Sequence, residues 1–195
     1  MEVTDAAAVA LVRAGDCDAF RLLVERHSRK VFRLAIRMTG NRDDAEDIVQ
    51  ETFLRAYRSL NQFDERAVFT SWLYRIATNY ALDLLRARKT KPAVSLSAPA
   101  PDEADGTAGL AATDPGPERV AFSGQLQERI AAALDQLTPH ERTAFTLRHF
   151  EGHTTEEIGE ALKIGANAAK QVVFRAVQKM RAALQPFEGN TAWRT

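Results

Sequence analysis

Phe63, Phe69 and Trp72 lie just ahead of a run of polar residues at helical spacing: Arg75, Asn79, Asp83 and Arg86. Aromatic rings can stack on unpaired bases, at about 1–3 kcal/mol per base, while Asn and Arg hydrogen-bond base edges and phosphates. The same rings could equally form a core, and the spacing leaves Trp72 between the two roles. A second stripe holds Asp47, Glu51, Arg55 and Arg58, with Glu51 and Arg55 in the favourable order for an i,i+4 pair. Spacing alone fits either a solvated helix face or a docking surface for a partner helix. A third set is Asn167, Lys170, Gln171 and Arg175, with Phe174, Gln178 and Arg181 on the same side. Lys and Arg suit guanine or phosphate, and Gln suits adenine. A plain solvated face on a helical bundle is the alternative.

Other chemistries lack their residues. The sequence shows no Ser/His/Asp set, phosphate-binding glycine loop or metal cluster, so no enzyme activity and no cofactor is expected. Cys17 is the only cysteine and cannot form an internal disulfide. His149 and His153 have a metal-compatible spacing, but Gly152 lies between them and no third ligand is near, so no metal is expected. No apolar run is long enough for a membrane span. The N-terminus starts acidic and has too short an apolar stretch for a secretory signal. A cytoplasmic protein without membrane insertion is therefore expected.

These residues need elements to position them. The 195 residues have a formal net charge of +0, so any DNA contact must use local patches. Five of the seven prolines fall between Pro92 and Pro117, where acids outnumber bases. That composition predicts a flexible linker over 92–124. It separates a block at 1–91 from a block at 125–187, with a tail at 188–195.

Both blocks read as helical, and no period-two pattern suggests a strand, so the fold class is all-α. In the first block Phe20, Leu23, Val24, His27, Val31, Leu34, Ala35 and Met38 mark one buried face, and Gly40 ends that helix. A second helix is predicted to start near Asp43 with Glu46 as its reciprocal cap. It would bury Ile48, Val49, Phe53, Ala56, Tyr57 and Leu60. A third would bury Leu73, Ile76, Ala77, Tyr80 and Leu84. In the second block Thr138-Pro139-His140-Glu141 and Thr154-Thr155-Glu156-Glu157 are capping boxes. The second opens a short helix. A Lys163-Ile164-Gly165 turn and a longer helix complete a helix-turn-helix, the longer helix burying Ala169, Val173, Ala176, Val177, Met180 and Leu184.

Together these segments resemble the extracytoplasmic-function (ECF) sigma factors of the sigma-70 family. DDAEDIVQETFLRAY resembles the family's core-polymerase-binding helix. TSWLYRIATNYALDLLR resembles its promoter-melting and −10 segment. LTPHERTAFTLRHFEGHTTEEIGEAL, with the helix after it, resembles its −35-binding domain. The match covers about 16–91 and 125–184.

The resemblance implies a sigma region 2 bundle at 1–91 and a sigma region 4 helix-turn-helix domain at 125–187. It implies that Asp47, Gln50, Glu51 and Arg55 dock on core RNA polymerase, whose beta and beta-prime subunits are the expected partners. Phe63 with Asp64, Glu65, Arg66 and Ala67 would form the loop holding a flipped −10 base, beside Trp72, Arg75 and Asn79. Extruding that base costs a few kcal/mol, which the pocket must return. Asn167, Lys170, Gln171, Phe174 and Arg175 would meet the −35 element. That helix departs from the common pattern: Val172 and Val177 replace basic residues, and Ala168 a hydroxyl, so a weaker, less salt-dependent −35 contact is expected. An anti-sigma factor is the expected regulatory partner.

Overall fold

The computed structural model describes residues 3–90 and 128–188 of the chain, and every regular element among them is helical. The expected linker at 92–124, and the tail apart from residue 188, lie outside the described residues.

The first block holds α1 (Asp5–Arg13), α2 (Cys17–Thr39), α3 (Arg42–Ser59), a 3-10 turn (Leu60–Gln62) and α4 (Phe69–Thr90). Thr4 caps α1 by accepting from the Ala7 N–H, and Asp16 caps α2 from the N–H groups of Asp18 and Ala19. Gly40 ends α2 at φ 68°, a left-handed conformation that glycine adopts without a Cβ penalty. The expected Asp43/Glu46 reciprocal cap does not form. Helix α3 starts one residue earlier, because the Asn41 side chain accepts from the Asp44 N–H, and Glu46 instead pairs with Arg42 at 3.0 Å. The buried face of α2 is the one the spacing predicts, with Leu23, His27, Val31, Leu34, Ala35 and Met38 inside and Phe20 and Val24 half-buried.

The second block holds α5 (128–135), α6 (Pro139–His149), α7 (Thr155–Leu162) and α8 (Ala166–Glu188). Both capping boxes are present, on Thr138/Glu141 and Thr154/Glu157. Lys163 closes α7 at φ 57°, and the Ile164 N–H reaches back to the Gly159 carbonyl at 2.9 Å. The turn leaves no room beside Gly159: a Cβ there would stand 2.8 Å from the Ile164 carbonyl oxygen.

The two blocks lie against each other, with α7 on α4 and α6 on α2. One apolar cluster runs from Leu23, Leu34 and Leu73 through Leu147, Ile158 and Leu162. A smaller one, with Leu134, Leu137, Ala176 and Met180, joins α5 to α8. This contact explains why α4 buries more than the single predicted face. Leu73 and Ala77 are inside and Ile76, Tyr80 and Leu84 half-buried, but Tyr74, Thr78 and Leu82 are buried too.

Candidate polymerase and promoter interface

On α3, Asp47, Gln50 and Arg55 are exposed and Glu51 is half-buried. The Arg55 Nε donates to Glu51 at 2.6 Å, and the Arg55 guanidinium lies 4.7 Å from the Tyr80 ring centroid on α4. The stripe is thus tied to the bundle at one point while its acids and Gln50 face outward. Tyr57, expected inward, is 47% exposed; Leu54, outside the expected inward set, is 51% exposed. Phe20 takes the inner position and meets Tyr57 edge-on at 5.0 Å, leaving the phenol outside near Cys17. Exposed Leu54 and Tyr57 therefore extend the polar stripe with apolar area, a feature that the helical count did not single out.

The loop from Phe63 to Phe69 is built on its aromatics. Phe63, Phe69 and Trp72 are buried, with ring centroids 5.0–5.7 Å apart. Such clusters add about 0.5–1.5 kcal/mol per pair beyond their burial. In this arrangement Trp72 packs. The rings form a floor, and Asp64, Arg66 and Ala67 stand exposed above it. The Asp64 carboxylate accepts from the Arg66 N–H at 3.0 Å, which holds the tip in a turn.

Arg13, which the spacing argument missed, anchors this loop. Its guanidinium donates to the carbonyls of Leu60 at 2.8 Å and Phe63 at 2.5 Å and pairs with Glu65 at 2.5 Å. No periodicity could reveal a contact spanning fifty residues.

A cleft of about 590 Å³ opens beside the loop, lined in part by Thr4, Arg26, His27, Lys30, Ala67 and Thr70. His27 is buried against the Phe69 ring, and its Nε2 lies 2.8 Å from the Asp5 carboxylate. Burial pushes its pKa below the ordinary value despite the attraction of Asp5.

On α4, Arg75 is exposed and Asn79 half-buried. The Asn79 Nδ2 donates to the Arg75 carbonyl at 2.8 Å, and the Arg75 guanidinium lies 3.7 Å from Glu160 of α7. Ser71 donates to Glu157 at 3.2 Å. Buried Tyr74 donates to Glu151 at 2.7 Å, and Arg37 meets the other oxygen of that carboxylate at 3.2 Å. Burial first, and then the Glu151 bond, push the Tyr74 phenol well above its ordinary pKa.

On α8, Asn167, Lys170, Gln171, Phe174 and Arg175 are all exposed, Phe174 at 59%. The expected inward set is partly corrected. Val172 is buried, whereas Val173 and Val177 are half-buried. A basic residue at 172 would point into the core, so Val172 removes no exposed charge; only Val177 and exposed Ala168 bear on the expected weakening. The outward face borders a cleft of about 640 Å³ that also takes in Arg148, His149 and Arg181. Arg148 is a further basic residue on this face, held by a 2.9 Å bond to the His153 carbonyl. It comes from α6, outside the helix on which the sequence reading focused.

Comparison with known proteins follows the same division. The family profile for Sigma-70 region 2 matches residues 23–91, and the profile for Sigma-70, region 4 matches residues 127–180. The chain is 37% identical over 170 residues to the ECF RNA polymerase sigma factor SigE of Mycolicibacterium smegmatis, covering 87% of this chain and 63% of that protein. It is 37% identical over 180 residues to the ECF RNA polymerase sigma factor SigW of Bacillus subtilis, covering 89% of this chain and 93% of that protein. In three dimensions it is similar to CnrH, solved in complex with the cytosolic domain of CnrY, with a TM-score of 0.64 and 25% identity over 93% of this chain and 97% of that one. With both regions matched in order and SigW aligned along nearly its whole length, the chain belongs to the ECF RNA polymerase sigma factors of the sigma-70 family.

Proposed function

We propose that this chain joins core RNA polymerase as a promoter-specificity subunit, with the exposed α3 stripe as its docking surface and α4 with its preceding loop as its −10 reader. The observation that carries this is the build of the loop. An aromatic cluster and the Arg13 anchor hold Asp64, Arg66 and Ala67 outward, in the loop that leads into α4 with its Arg75 and Asn79. A pocket that captures an extruded base must be ordered beforehand, because the few kcal/mol spent on unstacking cannot also pay for ordering a loop.

The α8 face, with Asn167, Lys170, Gln171, Phe174 and Arg175, then meets the −35 element. The subunit itself catalyses nothing; it supplies recognition, and the polymerase makes RNA. It works in the cytoplasm, where its polymerase and DNA are. Regulation by an anti-sigma partner fits the family, and CnrH too was solved with a bound protein partner, the cytosolic domain of CnrY.

The test combines the purified chain with core polymerase on genomic DNA and sequences the transcripts. The expected result is initiation at a subset of promoters sharing −10 and −35 elements. Asn79→Ala should lower promoter opening, seen by permanganate reactivity of the melted strand, while binding core unchanged. A chain that neither co-elutes with core polymerase nor directs initiation would overturn the proposal.

A further inference from the structure

Arg55 has two partners, on two helices. Its Nε donates to Glu51 Oε1, one turn earlier on α3, at 2.6 Å, and its guanidinium lies 4.7 Å from the centroid of the Tyr80 ring on α4. A cation over a tyrosine face is held by the electrostatics of the ring. Tyr80 follows Asn79 directly, and consecutive residues on a helix point about 100° apart. One turn of α4 thus gives the Tyr80 ring to α3 while Asn79 lies on another face. We propose that Tyr80 is a positioning residue for polymerase docking: its ring holds the Arg55 guanidinium, and through it Glu51, in the geometry that core RNA polymerase meets. The proposal rests on the reading of the α3 stripe as the docking surface.

The ion pair by itself is a poor brace. The side chains of Arg55 and Glu51 are 43% and 30% exposed. At such exposure, water, salt and the entropy of two long side chains offset most of the attraction. An arginine with no other contact samples many rotamers, and each of them lost on docking costs affinity. The Tyr80 ring removes that freedom beforehand, because it is half-buried and packed against the core of the first block. It meets the flat face of the guanidinium, which leaves the N–H edge to Glu51. Glu51 and Arg55 are therefore the fixed pair of the stripe, whereas Asp47 and Gln50 stand exposed. Helix α4 then serves two partners: Arg75 and Asn79 are for the promoter, and Tyr80 supports the surface that meets the polymerase.

The test measures the affinity of the full chain for core polymerase, by competition against another sigma factor, in a cycle of wild type, Y80L, R55M and R55M/Y80L. Y80F is the conservative variant. Y80L should bind about threefold more weakly, as for the loss of a cation–π contact at an exposed site. Y80F should bind as the wild type does, because a phenyl face also holds a guanidinium. R55M/Y80L should bind no more weakly than R55M, because the ring acts through Arg55. A Y80L protein with wild-type affinity overturns the proposal. So does a Y80F as weak as Y80L, or a Y80L penalty of equal size with and without Arg55, which would mean that the ring only packs. The docking reading is judged apart by E51R. If E51R lowers the affinity and Y80L does not, the positioning role alone falls; if E51R changes nothing, the docking reading falls and the positioning role with it. Circular dichroism checks the fold, and Y80M, similar in volume to Leu but more adaptable, carries the same cycle should Y80L unfold.

Discussion

Glu51 and Arg55 sit 2.6 Å apart on an exposed face, and such a pair stabilises a helix by only about 0.2–0.5 kcal/mol. Its presence therefore says little about folding and leaves room for a role in docking. Glu51→Arg turns the attraction into repulsion at a similar small cost, so the fold should survive. Affinity for core polymerase, measured by competition against another sigma factor, should drop at least about tenfold, as for a charge placed against a complementary surface. Unchanged affinity would remove Glu51 from the docking surface.

Among the elements, the helix-turn-helix depends on Gly159. In Gly159→Ala the new Cβ would press on a backbone carbonyl at 2.8 Å, so the Ile164 turn must shift. Overpacking of this kind costs about 1–3 kcal/mol. The midpoint of urea unfolding should fall accordingly, and an unchanged midpoint would show that the turn yields freely.

Helix α1 carries a different sensitivity. His27 is buried, and its folded-state pKa lies below the ordinary value, so the folded state prefers the neutral ring. The resulting stability is full above the unfolded value of about 6.5 and is lost as pH falls toward the folded value. Asp5 of α1 bonds this ring and also pairs with Arg26, with Lys30 nearby on α2. Amide protection across Asp5–Arg13 should therefore decline between pH 7.5 and pH 5.5 in the wild type and less in His27→Gln, which keeps a polar contact without titrating. Equal declines in both proteins would assign the effect to other groups.

At the scale of the whole molecule, the first block's core continues into the second. Tyr74→Phe keeps the ring in that core but takes one donor from Glu151. The cost should be about 1.5–3 kcal/mol, the net worth of a hydrogen bond to a charged group. It should appear as faster amide exchange in α7 with α3 unaffected, because only the contact between blocks is weakened. Equal loosening of α3 would mean that Tyr74 serves the first block's own core.

The sequence by itself determined the helices, the capping boxes of α6 and α7, the buried face of α2 and the family. These follow from nearest neighbours on a helix, where a period of 3.6 and a few capping residues decide the outcome. It also placed the exposed residues of α8 and the polar stripe of α3. The capping of α3 by Asn41, the outward turn of Tyr57 and the burial of Val172 went otherwise, since competing caps and partner rings are settled by packing. Only the tertiary structure decided that Trp72 packs with Phe63 and Phe69, that Arg13 anchors a loop fifty residues away, and that Tyr74 faces Glu151 across the two blocks. Contacts of that kind join residues distant in the chain, and no local period encodes which of many compatible partners a side chain meets.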